Sequence, residues 1–246
     1  PWARVMEPPA YWGVAGKPIS HSLTPKLFAI VGGEMGLDQA EQIFLEASSE
    51  EEFCTEVEML EGDLWLSCTA PLKHSLYSKL GVQGPDGVNA VNQLIRSNGV
   101  WEGASTDGAG FVSACRHIGV EPNGSILRMR GGGSAARSIA AAWSSEGGSI
   151  ILEKGRRTLV RGPWGPSILE SGNAHISIDL DTIPAGEESM RLEAEIQVSI
   201  AYNESSTKDD FAIIMLAAQH LEAWHSLFAP KGGGIIPSLA EVLAHL

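Results

Sequence analysis

Cysteine is scarce in this chain, with three residues (Cys54, Cys68 and Cys115) in 246. Thiols so few and scattered build neither a disulfide framework nor a zinc site, and reduced thiols in a cytoplasm are expected. No grouping of His, Cys and carboxylates has metal-ligand spacing, so no metal is expected either. Positive charge is also in short supply: 17 Lys and Arg stand against 30 Asp and Glu, a formal net charge of −13. A chain this acidic repels phosphate backbones and anionic lipid, which makes nucleic acid and membranes poor partners. Much of the acid lies between Glu41 and Glu61, where it reads as solvated helix faces. Long apolar runs are missing. The longest, Phe211 to Ala218, is far short of the roughly 18 residues of a membrane span and suits a buried helix or strand. No signal-peptide pattern is visible. The sequence opens on Pro1 rather than Met, so the natural start is expected to lie before it.

What the chain does have is glycine, 28 residues, in a soluble composition that is 43% hydrophobic with mean hydropathy +0.01. The length suits one large domain or two modest ones. Tyr11 to Gly16 reads as a strand running into a glycine turn. Ser22 to Met35 reads as a helix with Thr24 as N-cap, Pro25 in the first turn, and Leu27, Phe28 and Val31 on one face. Asp63 to Cys68 reads as a buried strand. Leu72, Leu76 and Leu80, spaced by four, mark a helix from Pro71. Further on, Ser125 to Met129 and Gly148 to Leu152 read as strands. Ala174 to Ile178 and Ile196 to Tyr202 are further strand candidates. A long helix is expected from Ala212 to Phe228, before the loop-like Lys231-Gly232-Gly233-Gly234.

Between the strands at Ser125 and Gly148 lies Gly131-Gly132-Gly133-Ser134-Ala135-Ala136, opening a helix to Trp143. Strand, glycine turn, helix and strand within about 30 residues make a βαβ unit and hence a parallel sheet. Gly131-x-Gly133-x-x-Ala136 fits a dinucleotide fingerprint. One glycine permits the tight turn, the next admits the pyrophosphate, and a small third residue packs helix on strand. The helix N-terminus then faces the anion, and Gly131, Gly132, Gly133, Ser134 and Ala135 are candidate contacts. Glu153, at the end of the second strand, is placed to hold the ribose hydroxyls of NAD. Arg156 and Arg157 follow at once, with Lys154, and a guanidinium there suits a 2′-phosphate. NADP is favoured, with NAD possible.

Four segments, in order, resemble the shikimate dehydrogenase family. Gly16-Lys17-Pro18-Ile19-Ser20-His21-Ser22-Leu23-Thr24-Pro25 is similar to G-x-P-I-x-H-S-x-S-P. Ser67-Cys68-Thr69-Ala70-Pro71-Leu72-Lys73 is similar to N-V-T-x-P-x-K. Ala90-Val91-Asn92-Gln93-Leu94 resembles A-V-N-T-L, and Gly103 to Gly110 resembles G-x-N-T-D-G-x-G. Met215-Leu216-Ala217-Ala218-Gln219 resembles M-L-x-x-Q. The resemblance implies two α/β domains, an N-terminal substrate domain and a Rossmann-like dinucleotide domain, with a cleft between them. Residues 1–108 plus 219–246 are expected in the first and 109–218 in the second. It implies that Ser22 and Thr24 hold a ring carboxylate, and that Asn92 and Gln219 hold ring hydroxyls. Thr69 belongs to the same hydroxyl and amide set, and Tyr202 falls where the family has a tyrosine near substrate. Lys73 and Asp107 are the expected catalytic pair, one of them the base or proton relay. The chemistry of these types agrees, since a polyol carboxylate needs short groups that both donate and accept. His21 and His74 sit beside these residues and receive no chemical role. The implied activity is NADP-dependent interconversion of shikimate and 3-dehydroshikimate, on the route to aromatic amino acids, by a cytoplasmic monomer or homodimer.

The departures are as specific as the matches. Ser67 and Ser105 replace Asn, and Gln93 replaces the Thr after the A-V-N asparagine. Ala70 replaces a larger apolar residue, and the glycine before M-L is missing. The usual small polar turn is replaced by Asp179-Leu180-Asp181-Thr182-Ile183-Pro184-Ala185-Gly186. Quinate as substrate, or a paralogue that only binds ring acid or nucleotide as a sensor, are the alternatives these changes leave open.

Overall fold

The computed structural model describes residues 7–181, 191–232 and 235–246. Within it the chain divides into two units. One holds the chain up to Gly84, Ala90–Ser105 and His220–Leu246, and the other holds Pro85–Asn89 and Thr106–Gln219.

The first unit is built on a five-stranded sheet: β1 (Tyr11–Gly16), β2 (Glu41–Glu46), β3 (Leu64–Cys68), β4 (Gln93–Ser97) and β5 (Val100–Ala104). Its order is β2-β1-β3-β4-β5. β1 pairs in parallel with β2 and β3, whereas β3–β4 and β4–β5 are antiparallel. The parallel connections need crossovers, supplied by α1 (Thr24–Glu34) and α2 (Glu50–Glu58), and α3 (Leu72–Leu80) follows β3. β4 and β5 need only a two-residue turn, Asn98-Gly99, both at positive φ as such a hairpin requires. Alternation along the strands sends Leu64, Leu66 and Cys68 to one face, packed with Phe53, Val57, Leu72 and Leu76. Trp65 points to the other face, where aromatic rings gather. Trp12 stacks on Phe28 at 5.4 Å and Trp65 on Phe228 at 5.4 Å, with Trp224 edge-on to Trp65.

Two expectations need correction here. Thr24 is the first helical residue of α1 and not its cap. The N-cap is Leu23, with no side-chain cap, and the Ser22 hydroxyl accepts from the Thr24 amide at 3.2 Å. The long C-terminal helix is α6 (Phe211–Ala223), followed by a wider π turn, Trp224–Phe228, in which Trp224 and Phe228 join the aromatic face. A short α7 (Leu239–Ala244) is closed by a Ser238–Glu241 capping box.

The second unit carries β6 (Ile126–Arg130), β7 (Ser149–Glu153), β8 (Ile168–Leu169), β9 (Ile176–Asp179) and β10 (Ile196–Val198), in the order β10-β9-β6-β7-β8. All its pairings are parallel, as the βαβ pattern predicts. β10 ends at Val198 instead of reaching Tyr202. Leu127, Met129, Ile150, Ile176 and Ile178 are buried on one face; α5 (Ser134–Ser145) packs against β7, and α4 (Asp107–His117) packs against α5. The opposite face is ionic. Arg128 pairs with Glu153 at 2.5 Å, and Arg130 with Asp179 at 2.7 Å.

Candidate functional site

In the first unit the loops after β1 and β3 are tied side by side. The Thr69 amide donates to Ala15 O at 2.9 Å and the Lys17 amide to Ala70 O at 3.0 Å. This brings the segment that carries Ser22 and Thr24 up to the end of the strand that carries Thr69. The start of β4 is fixed to the same end: the Cys68 amide donates to Asn92 O at 2.7 Å, and the Val91 amide to Lys73 O at 2.9 Å. Five expected residues of this unit (Ser22, Thr24, Thr69, Lys73 and Asn92) therefore stand on segments joined at one end of one sheet. Thr24 and Asn92 are buried, and Ser22, Thr69 and Lys73 are half-buried. Burial pushes the Cys68 thiol up to about 12, and the Lys73 ammonium opposes that rise. The charge of Lys73 is therefore felt at the strand end, and Cys68 stays an unreactive thiol.

In the second unit Asp107 is the first residue of α4 and is buried. The glycines that follow it explain its motif. A Cβ on Gly108 would lie 2.0 Å from Ser138 O, and one on Gly110 2.4 Å from the Gln219 Cβ. The Gly108 amide also donates to the Ser138 hydroxyl at 2.8 Å. Without side chains at these two places, α4 lies directly against α5 and against α6 at Gln219. Asp107 and Gln219 are so brought to neighbouring turns of packed helices. Tyr202 is not drawn in: it lies beyond β10 in irregular chain, half-exposed.

The glycine turn leaves β6 at Gly131 and reaches α5, whose N-cap, Gly133, has extended backbone and no side-chain cap. The first turn of α5 contains Ser134 and Ala135 and no acid, so its amides are left for an anion. A Cβ on Gly132 would lie 2.3 Å from Thr158 O, so the segment after β7 crosses directly over the turn. That crossing brings Arg157 close, its Nη1 3.8 Å from where a Gly133 Cβ would be. A guanidinium that sequence reasoning passed over joins it. Arg137 donates to Val88 O at 2.7 Å and to Gly132 O at 3.2 Å. Its pKa is lowered by burial and by neighbouring Arg157, so two cations lie near each other at the turn. The signal was available in sequence as an arginine one turn into the helix after the glycines.

The remaining cofactor candidates have partners. Glu153, the carboxylate that would favour NAD, pairs with Arg128 through Oε1. Arg156 pairs through Nε with Asp181 at 3.3 Å, and its backbone amide also donates to that carboxylate. Asp181 thus ties the loop after β7, which carries Arg156, to the end of β9. The Thr182–Gly186 part of the replaced turn lies outside the described residues. Among the described residues, no group of three or more His, Cys, Asp or Glu could hold a metal ion, and no helix is long and apolar enough to cross a membrane.

No family model matches the chain. Among curated proteins it is similar to the NADP(+) shikimate dehydrogenase of Xanthomonas campestris pv. campestris, 34% identical over 142 residues. That match covers 55% of this chain and 49% of the relative. The enzyme of the same name from Syntrophomonas wolfei is 34% identical over 144 residues, covering 56% and 48%. The matched stretch thus spans about half the length of these relatives. Solved structures extend the likeness in fold. Shikimate 5-dehydrogenase from Thermus thermophilus, in complex with NADP(H) and shikimate, superposes with TM-score 0.73 at 20% identity, covering 96% of this chain and 97% of that one. A 5-ketofructose reductase from Gluconobacter gives TM-score 0.66 at 15% identity, over 98% of each chain. The chain has the two-domain α/β fold of the shikimate dehydrogenases, with a Rossmann-like second unit, and over about half its length it is similar to them in sequence as well.

Proposed function

We propose that the chain is an NADP-dependent oxidoreductase that interconverts shikimate and 3-dehydroshikimate. The observation that carries this is the joining, in the first unit, of Ser22, Thr24, Thr69, Lys73 and Asn92 at one sheet end. The same residue types, with Thr24 for a second Ser, occur in the same order in the family's motifs. The similarity to curated NADP(+) shikimate dehydrogenases over half the chain supports the same reading.

In this reading Ser22 and Thr24, at the start of α1, hold the ring carboxylate. Thr69, Asn92 and Gln219 hold ring hydroxyls. Tyr202 belongs to the reading only by its place in the sequence. A bound nicotinamide dinucleotide supplies the acceptor for the hydride that leaves the alcohol carbon. The uncapped amides of Gly133, Ser134 and Ala135 suit its pyrophosphate, with Gly131 and Gly132 giving the backbone room to approach. Arg157 and Arg137 suit a 2′-phosphate; Arg156 takes part through the loop that it and Asp181 hold in place. The protein's own task is the proton. As the C–H bond of the alcohol carbon breaks with its electron pair, the O–H proton must leave, and the developing alkoxide needs a cation nearby. Lys73 and Asp107 share these two duties, one ammonium and one carboxylate. The ring acid is assigned to residues 1–108 and 219–246 and the nucleotide to 109–218, a division that differs from the two compact units at residues 85–89, 106–108 and 219. The three free thiols and the acidic surface suit a cytoplasmic protein.

The test is absorbance at the reduced-nicotinamide band with shikimate and NADP, beside Lys73→Ala. Turnover that falls ~10²–10⁴-fold in the variant, with KM for NADP unchanged, is the expected result. A folded wild-type protein that turns over neither shikimate nor quinate, with NADP or NAD, would overturn the reading.

A further inference from the structure

Two of the departures from the family's motifs meet in space. Ser67 on β3 and Gln93 on β4 are directly opposed in the antiparallel register. Both are buried, at 8% and 2% exposure, and the Ser67 hydroxyl donates to Gln93 Oε1 at 2.8 Å. Considered singly, each exchange changes the reach of a polar group. Considered together, they keep the chemistry. The family's Asn and Thr supply one carboxamide and one hydroxyl on four side-chain carbons, and so do Ser and Gln. The amide has moved from β3 to β4, and the hydroxyl from β4 to β3.

The bond to Ser67 uses only the acceptor end of the Gln93 amide. Its nitrogen keeps two protons, and sealing such a donor without a partner costs about 1–3 kcal/mol. Trp12 Nε1, on the same face of this sheet, is sealed in that way. Gln93 Nε2 is not among the sealed nitrogens, and the Ser67 bond is the side-chain bond that Gln93 makes among the described residues. The nitrogen end of this buried amide thus makes no bond among the described residues, on the residue after Asn92 and opposite the strand that leads to Thr69.

We propose that Ser67 and Gln93 are one specificity-determining unit, in which the hydroxyl-held carboxamide of Gln93 donates through Nε2 to a ring hydroxyl of the bound acid. This rests on the ring-acid reading above. Holding the amide at its oxygen fixes which end faces the ligand, so that the site offers a donor and not an acceptor. The pair serves to position and select substrate and takes no part in the proton transfer.

The experiment is a cycle of Ser67→Asn, Gln93→Thr and the double change, with Gln93→Glu beside it. Each is assayed for kcat and KM with shikimate and with its mono-deoxy analogues, and for shikimate binding by calorimetry. Each single change is expected to raise KM for shikimate about tenfold with kcat little altered, and the double change to return it to within about threefold. Gln93→Glu keeps an acceptor for Ser67 and removes the donor, so it is expected to weaken shikimate about tenfold or more. The analogue that lacks the contacted hydroxyl should bind wild type and this variant alike. Gln93→Met, uncharged and of similar size, carries the same comparison if thermal melting finds the Glu variant unfolded. Additive effects in the cycle, or an unchanged KM on loss of the amide donor in an active enzyme, would overturn the pairing and leave the proposed function standing. A folded wild type that neither binds nor turns over any ring acid would overturn both.

Discussion

The two sheets treat buried polarity in opposite ways. In the first unit the face toward α1 and the C-terminal turn is lined with rings, and the imidazole among them, His220, is kept neutral. The Trp224 indole donates to His220 Nε2 at 2.9 Å, and burial lowers the His220 pKa to about 3, partly opposed by the Leu27 backbone. In the second unit charge is admitted and matched. Arg128, Arg130 and Arg156 each meet a carboxylate: Glu153, Asp179 and Asp181. One sheet excludes charge and the other neutralises it, so their stabilities should answer to different perturbations.

The largest effect is expected from Trp224→Ala. Trp224 is fully buried and in ring contact with Trp12, Phe28, Trp65, His220 and Phe228. Emptying that volume should cost about 3–5 kcal/mol in urea unfolding followed by tryptophan fluorescence. A loss below about 1 kcal/mol would mean that the rings do not hold this unit together. Asp179→Ala attacks the other strategy. It leaves the mostly buried Arg130 charge short of a carboxylate and should cost about 2–4 kcal/mol. In that variant the deficit should shrink little with salt, since a buried pair is weakly screened.

A smaller effect, with a sign fixed by the chemistry, belongs to His220. The unfolded chain takes up a proton near pH 6.5, whereas the folded one does so only near 3. Its contribution is therefore complete above pH 6.5 and is lost as pH falls from there toward 3. Between about pH 7 and 5 the wild type should lose about 2 kcal/mol more than His220→Gln, measured by urea midpoints at each pH. Equal slopes in the two proteins would break the claim that this face excludes charge. The smallest effect is on the surface, where Arg116 meets Glu121 and Glu146, both at 2.9 Å, with all three side chains well exposed. Arg116→Ala should cost under about 1 kcal/mol, less still at high salt.

Much of this arrangement was readable before any coordinates, for reasons that are local. The helix face of Leu27, Phe28 and Val31, the buried strand before Thr69 and the unit around Gly131 each declare themselves within a dozen or so residues. The joining of Lys73, Asn92 and Thr69 was implied by motif order alone, and the backbone bonds that tie these segments give the physical reason. What sequence hid depends on register or on distant closure. Nothing local tells that Ser67 stands opposite Gln93. Nor does it tell that Asp181, 25 residues away, claims Arg156. Glu153 looked like a ribose ligand because its strand end was placed correctly, but its partner Arg128 belongs to the neighbouring strand. α1 starts at Thr24 with Leu23 as its N-cap, so the Thr-Pro pair lies one residue inside the helix.

The bare glycine seam around α4 has a consequence for how variants of this chain would be scored. Gly108 and Gly110 touch no ligand in the proposed site, yet they set where Asp107 and Gln219 stand, because a methyl group at either place would collide with a neighbouring helix. A screen that reports only turnover would therefore file Gly110→Ala with the lesions of Asp107, and a screen that reports only expression would file it with the core. Within one turn of helix, the same few residues answer to both kinds of selection.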